Sequence, residues 1–80
     1  MSTNAADNID KTWQSVSDVV HNFSTALSLA GTVALNAEDV EDYGNEIDAI
    51  IMHLTTVNNA IAVALENARA AAAELKAQPV

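Results

Sequence analysis

No cysteine occurs in this chain of 80 residues, so no disulfide can reinforce its fold. Two histidines are too few to complete a structural zinc site, and two glycines are too few for a phosphate-binding loop. No Ser-His-Asp spacing stands out either. We therefore expect a protein that is not an enzyme and that holds no metal and no cofactor.

Basic residues are also scarce, with three Lys and Arg against eleven Asp and Glu and a net charge of −8. Such a chain is repelled by nucleic-acid phosphates and by anionic lipid headgroups. Its N-terminus has no basic segment followed by an apolar one, and polar residues interrupt its apolar runs. We expect a soluble, cytoplasmic protein without signal peptide or transmembrane segment, which binds neither nucleic acid nor membranes directly.

Apolar residues in the first half of the chain repeat at the spacing of a helix. Steps that alternate between four and three residues place them on one side of that helix. This primary row consists of Ile9, Trp13, Val16, Val20, Phe23, Leu27, Ala30, Ala34 and Ala37. A side row of Val19, Ala26, Val33 and Val40 repeats every seven residues beside it. The pattern predicts an amphipathic helix over about residues 8–43, preceded by a flexible tail over residues 1–7.

The second half of the chain repeats this pattern. Its primary row consists of Ile47, Ile51, Leu54, Asn58, Ile61, Leu65, Ala68, Ala72 and Leu75, and its side row of Ile50, Val57, Ala64 and Ala71. These rows predict a helix over about residues 46–77, which Pro79 stops before a tail over residues 78–80. Because a short connection makes two helices antiparallel, we predict an all-α fold, a single antiparallel helical hairpin.

The connection lies in residues 36–48, NAEDVEDYGNEID, which we name the acidic stretch because it holds six of the eleven carboxylates. Two turn positions fit it. In one, Gly44 ends the first helix in the left-handed conformation and Asn45 caps the second. In the other, Gly31 ends the helix early or Asn36 caps a short helical piece before Gly44, so the helix breaks near residues 31–36. Both positions remain open.

The acidic stretch also invites comparison with a calcium-binding EF-hand loop. Aligning the obligatory glycine of that loop with Gly44 puts Asp39 and Glu41 at ligand positions. Tyr43 and Ile50 then occupy two positions at which calcium needs oxygen ligands. We therefore interpret the acidic stretch as a solvated connection.

The two histidines, His21 and His53, fall outside the primary rows. Asp18 lies three residues before His21, but a di-iron bundle needs carboxylates that face its core, and neither primary row contains Asp or Glu. We interpret both histidines as surface residues.

A lone hairpin covers only one side of each apolar stripe, which favours a homodimer that closes a four-helix bundle. The predicted core residues of this bundle are Trp13, Val16, Val20, Phe23, Leu27, Ile47, Ile51, Leu54, Asn58, Ile61 and Leu65. Asn58 is the only polar residue in either primary row. It either fixes the register and the number of copies or lies at a partly solvated edge.

These features predict a non-enzymatic interaction module, a homodimer that binds and modulates or inhibits a partner protein. The acidic charge favours a basic partner, such as one that binds nucleic acid. The predicted contacts are Glu38, Asp39, Glu41, Asp42, Tyr43, Glu46 and Asp48, together with Leu35 and Met52, which lie at similar heights if the turn is at Gly44. Small inhibitors from phages and mobile elements have comparably economical folds.

The alternative is a structural, secretion or chaperone-like hairpin that assembles with further copies. In architecture the predicted hairpin resembles those of type III secretion and of the WXG family. It lacks the Trp-x-Gly motif of the latter at the turn.

Overall fold

The computed structural model describes residues 3–77, which form two long helices that pack against each other. Helix α1 spans Thr3–Leu35, a 3₁₀ segment spans Ala37–Tyr43, and helix α2 spans Gly44–Ala77. Together they make a rod with extents of 62 × 13 × 13 Å. This architecture confirms the predicted all-α helical hairpin. The predicted stop at Pro79 and the tail 78–80 lie outside the described residues.

Helix α1 begins at Thr3, so it includes residues 3–7, which the periodicity assigns to a flexible tail. Its first turns contain Ala5 and Ala6, and alanine has the highest intrinsic helix propensity. Ala5 is also only 5% exposed, because it packs against α2. Tertiary contact therefore extends the helix beyond the first large apolar residue.

The first helix ends at Leu35, and Asn36 satisfies two of its terminal carbonyl groups. The backbone N–H of Asn36 donates to the Val33 carbonyl at 3.1 Å, and its side-chain Nδ2 donates to the Thr32 carbonyl at 2.8 Å. The chain then bends at Asp39, whose φ of −110° and ψ of 27° are not helical. The observed break therefore corresponds to the earlier of the two predicted positions.

Neither glycine acts as the left-handed helix cap that the sequence suggests. Gly31 lies inside α1, and Gly44 begins α2 with a right-handed φ of −55° and ψ of −42°. Asn45 consequently lies in the first turn of α2 instead of capping it. A helix running on to residue 43 would place several carboxylates at its negative C-terminal end. With the break at Asn36, Glu38 and Asp39 instead lie in the first turn of the 3₁₀ segment.

The two helices meet along their side rows. The most buried side chains are Ala5, Ala26, Val57, Ala64 and Ala71, between 2% and 8% exposed. Half-buried residues continue these inner rows at steps of three and four: Asn8, Thr12, Ser15, Val19, Asn22, Leu29 and Val33 in α1, and Glu46, Ile50, His53, Ala60, Asn67 and Glu74 in α2. Small side chains allow two helices to approach closely, so these rows can pair without distortion.

The hairpin is short of buried surface for a protein of its mass. Its accessible surface is 5846 Å², whereas a compact monomer of 8.4 kDa exposes about 4600 Å². Its Cα radius of gyration is 17.9 Å, against about 12 Å for a compact chain of 80 residues. No side chain larger than valine is buried in the described residues. The inner rows therefore supply only part of the core that this sequence could form.

Candidate functional site: an apolar face and an acidic end

The large apolar side chains of both primary rows lie exposed on one side of the hairpin, which we name the apolar face. Because each primary-row residue follows an inner-row residue by one position, each helix turns its primary row about 100° away from the contact. In antiparallel helices these two rotations point to the same side. The exposed members are Ile9, Trp13, Val16, Val20, Phe23, Leu27, Ile51, Leu54, Ile61, Leu65 and Leu75, each 43–68% exposed.

Two grooves run between the helices on the apolar face and show that both primary rows share it. One groove of about 270 Å³ is lined by Val16 and Val19 of α1 and by Ile61 and Leu65 of α2, with Thr12, Ala64 and Ala68. A second groove of about 160 Å³ lies between Phe23, Ala26, Leu27 and Ala30 of α1 and Ile50 and Leu54 of α2. Ridges of large side chains beside apolar grooves are the surface on which another helix packs.

The residues predicted as the bundle core thus lie together on this face, and all of them except the half-buried Ile47 are exposed to solvent in the hairpin by itself. Trp13 is 68% exposed and Phe23 is 53% exposed. Asn58 is exposed as well, and it lies within about one helical turn of the level of Val20, near the middle of the rod. The hairpin brings the predicted core residues to one surface and leaves that surface uncovered.

A polar contact between the helices involves His53, which is half-buried and not a free surface residue. His53 Nδ1 lies 2.8 Å from Asn22 Oδ1, while Asn22 Nδ2 donates to the Asp18 carbonyl at 2.9 Å. That second bond orients the amide, so Nδ1 of His53 must carry the donated hydrogen. His21 is exposed, as predicted for both histidines. In the sequence, Asn22 follows Asn8 and Ser15 at intervals of seven residues. This spacing places Asn22 on the inner row that faces α2, and it is the sequence signal for this contact.

The acidic stretch lies at one end of the rod, with its side chains largely in solvent. Glu38, Asp39, Glu41, Asp42 and Asp48 are exposed. Glu46 and Tyr43 are half-buried, because Glu46 belongs to the inner row of α2 and Tyr43 lies where the 3₁₀ segment meets that helix.

All three basic side chains of the chain lie toward the other end of the hairpin. Lys11, Arg69 and Lys76 are exposed there, roughly 40 Å along the rod from Asp39. At physiological ionic strength, charge is screened over about 8 Å, so these cations do not neutralise the acidic stretch of their own chain.

Leu35 and Met52 do not form a joint apolar contact near the acidic stretch. The pair requires a turn at Gly44, whereas α1 ends at Leu35. The Asn22 to His53 contact places Met52 near the level of Asn22, roughly 18 Å along the rod from Leu35. Each is exposed separately, Leu35 at 89% and Met52 at 59%. Leu35 alone adjoins the carboxylates.

Two further features of the described chain bear on its chemistry. Within residues 3–77, no three His, Asp or Glu side chains come together in a group that could hold a metal ion. The helical run Ala37–Ala77 is long and apolar enough to cross a membrane on length and composition alone, and little of it is buried in the hairpin. The core helix of a soluble protein passes the same test of length and composition.

Comparison of the chain with protein-family models, with curated proteins and with solved structures returned no match.

Proposed function

We propose that this protein is a non-enzymatic interaction module that acts as a homodimer. Its apolar face packs against a second copy to close a four-helix bundle, and its acidic stretch binds a basic partner protein that it modulates or inhibits. The observation that carries the proposal is the apolar face, a continuous surface of large side chains contributed by both helices.

The exposed side chains supply a strong reason for association. Burying a large aliphatic or aromatic side chain contributes roughly 1.5–3 kcal/mol, and each copy offers eleven of them. Two separate hairpins expose twice 5846 Å², whereas a compact protein of twice 8.4 kDa exposes about 7700 Å². A dimer that buried this excess accessible surface would remove about 2000 Å² per copy from water, which is the scale of obligate homodimers.

A dimer that covers the apolar face limits where a partner protein can bind. If the apolar face is covered by a second copy, the partner must contact what remains exposed. The acidic stretch meets that condition, and Leu35 places an apolar side chain beside its carboxylates. Uncompensated charge of one sign accelerates encounter with a surface of the opposite sign.

Sedimentation equilibrium tests the homodimer directly. We expect a single species of twice 8.4 kDa at micromolar concentration, unchanged over a tenfold range of loading. A species of 8.4 kDa throughout that range would contradict the homodimer.

The basic partner is tested by neutralising carboxylates in two matched sets. The partner is first captured from cells that contain the protein, identified by mass spectrometry and purified. Replacing Glu38 and Glu41 with Gln, and Asp39 and Asp42 with Asn, is expected to slow association about tenfold at low salt. It should also flatten the dependence of the association rate on salt.

The control set removes the same four charges elsewhere on the hairpin. It replaces Asp7, Asp10 and Asp18 with Asn and Glu66 with Gln, all of them exposed and outside the acidic stretch. If steering is local, this set leaves most of the association rate intact. Equal slowing by both sets would show that only net charge matters, and an unaltered rate without salt dependence in the first set would exclude steering.

Self-assembly beyond two copies is the second candidate, and exposed apolar residues outside the apolar face favour it. Met52 and Val63 are 59% and 46% exposed, and a face-to-face dimer leaves them in water. A structural or secretion component that covers them grows with concentration, which the sedimentation experiment detects as a rising mass. A fixed dimer counts against this candidate.

A further inference from the structure

The geometry of the apolar face restricts how a second copy can sit on it, and this inference rests on the homodimer proposed above. Two hairpins packed face to face with two-fold symmetry have two arrangements. With the axis along the rod, the copies are parallel and α1 stacks on α2 of the other copy. With the axis across the rod, they are antiparallel, α1 stacks on α1 and α2 stacks on α2.

The position of Asn58 separates these arrangements. In the parallel dimer, Asn58 faces the primary row of α1 near Val20, and that row contains no polar residue. That row offers the Asn58 amide no hydrogen-bond partner, and covering an unpaired amide is unfavourable. In the antiparallel dimer, an axis at the level of Asn58 brings the two Asn58 amides together, and two amides can donate to and accept from each other.

The apolar pattern around that level is symmetric, as antiparallel stacking requires. Leu54 and Ile61 lie four residues before and three residues after Asn58. Val16 and Phe23 have the same spacing about Val20 in α1. Near that level, antiparallel stacking therefore brings Leu54 close to Ile61 on α2 and Val16 close to Phe23 on α1, so that large side chains meet large side chains.

The distribution of charge along the rod also favours the antiparallel dimer. The acidic stretch carries six carboxylates and no cation, whereas Lys11, Arg69 and Lys76 all lie toward the other end. Parallel copies bring two acidic stretches to one end of the bundle, within a few helix diameters. Antiparallel copies instead place each acidic stretch beside the opposite end of the other copy, where Lys11, Arg69 and Lys76 nearly balance the charges of Asp7, Asp10, Glu66 and Glu74. Like charges repel at short range even in salt, so the parallel dimer is the less stable one.

We propose that the second copy covers the apolar face in antiparallel orientation, with the two Asn58 side chains paired at the two-fold axis. Ala37 in the acidic stretch lies 17 residues from the level of Val20, roughly 25 Å along the rod. The dimer then presents its two acidic stretches roughly 50 Å apart, at opposite ends. It is a bivalent rod that can engage two basic sites, or two partner molecules, at once.

Distances between spin labels test the orientation, and the absence of native cysteine makes single-site labelling clean. Nitroxides on Ala37→Cys report the acidic stretch, and nitroxides on Thr56→Cys, an exposed site near mid-rod, report the dimer in either orientation. Both replaced residues are uncharged. Thr56 lies off the apolar face, and Ala37 is the last residue of its primary row, beyond the end of α1 at Leu35. Double electron–electron resonance measures each pair in the full-length protein.

The antiparallel dimer is expected to give roughly 50 Å or more between Ala37 labels and a much shorter distance between Thr56 labels. A distance under about 30 Å at both sites would overturn the antiparallel orientation while leaving the homodimer intact. No intermolecular coupling at either site, with a monomeric mass in sedimentation, would overturn the homodimer itself.

Discussion

Val16→Asp is expected to dissociate the proposed dimer, raising its dissociation constant at least about 100-fold, whereas Val63→Asp leaves that constant nearly unchanged. The two valines are equally exposed in the hairpin, at 45% and 46%. Val16 lies on the apolar face, while Val63 follows Ile61 by two residues and so lies about 200° around α2. Both substitutions alter helix propensity and net charge alike, so only the location differs.

The magnitude follows from symmetry, because every substitution occurs twice in the dimer. Losing the burial of one valine costs about 1.5 kcal/mol, so two copies lose about 3 kcal/mol, which is about 150-fold in the dissociation constant. Covering a carboxylate without a partner adds to that loss. Sedimentation equilibrium across a concentration series measures both variants. Equal dimerisation of Val16→Asp and Val63→Asp would show that the apolar face is not the dimer interface.

Asn58→Leu is expected to raise the stability of the proposed dimer and to reduce its specificity of orientation. It removes an amide that the proposed dimer would cover and adds an apolar side chain at the centre of the apolar face, which should stabilise that dimer by about 1–3 kcal/mol. It also removes the group that distinguishes stacking of α2 on α2 from stacking of α2 on α1. A polar residue at such a position often sets register and copy number at the expense of stability.

The measurement combines urea unfolding at fixed protein concentration with the Ala37 spin-label distance in the Asn58→Leu background. We expect a higher unfolding midpoint and, beside the long distance, a second population under about 30 Å. Asn59→Leu is the control, because the neighbouring asparagine is also exposed but lies about 100° further around the helix. A single oligomeric species with unchanged stability in Asn58→Leu would remove the proposed role of Asn58.

The two helices could be predicted from the sequence because helical periodicity is a local property. Side chains three and four residues apart lie on one side of a helix whatever the tertiary contacts, so Trp13, Val16, Val20 and Phe23 could be grouped from the sequence. The sequence offers two ends for α1, because Asn36 and Gly44 are both residues of the kind that bound helices. In the structure α1 ends at Leu35, so Glu38 and Asp39 lie in the first turn of the following 3₁₀ segment instead of in the last turns of a longer α1.

His53 shows why the helix contact could not be assigned in the same way. Judged from the primary row, His53 occupies an outer position, whereas the side row makes it an inner residue opposite Asn22. Both rows are apolar and lie about 100° apart on the same helix, so periodicity alone does not say which one faces the neighbouring helix.

The sequence by itself determined that this chain forms two long amphipathic helices joined near an acidic stretch, because propensity, spacing and charge act within a few residues. Only the tertiary structure decided which apolar row each helix buries. The rows containing Ala26, Val57 and Ala64 face inward, since small side chains let the helices approach closely. The bulky row from Trp13 to Leu27 is left outside with its counterpart in α2. That choice leaves the hairpin with a surface suited to a second copy.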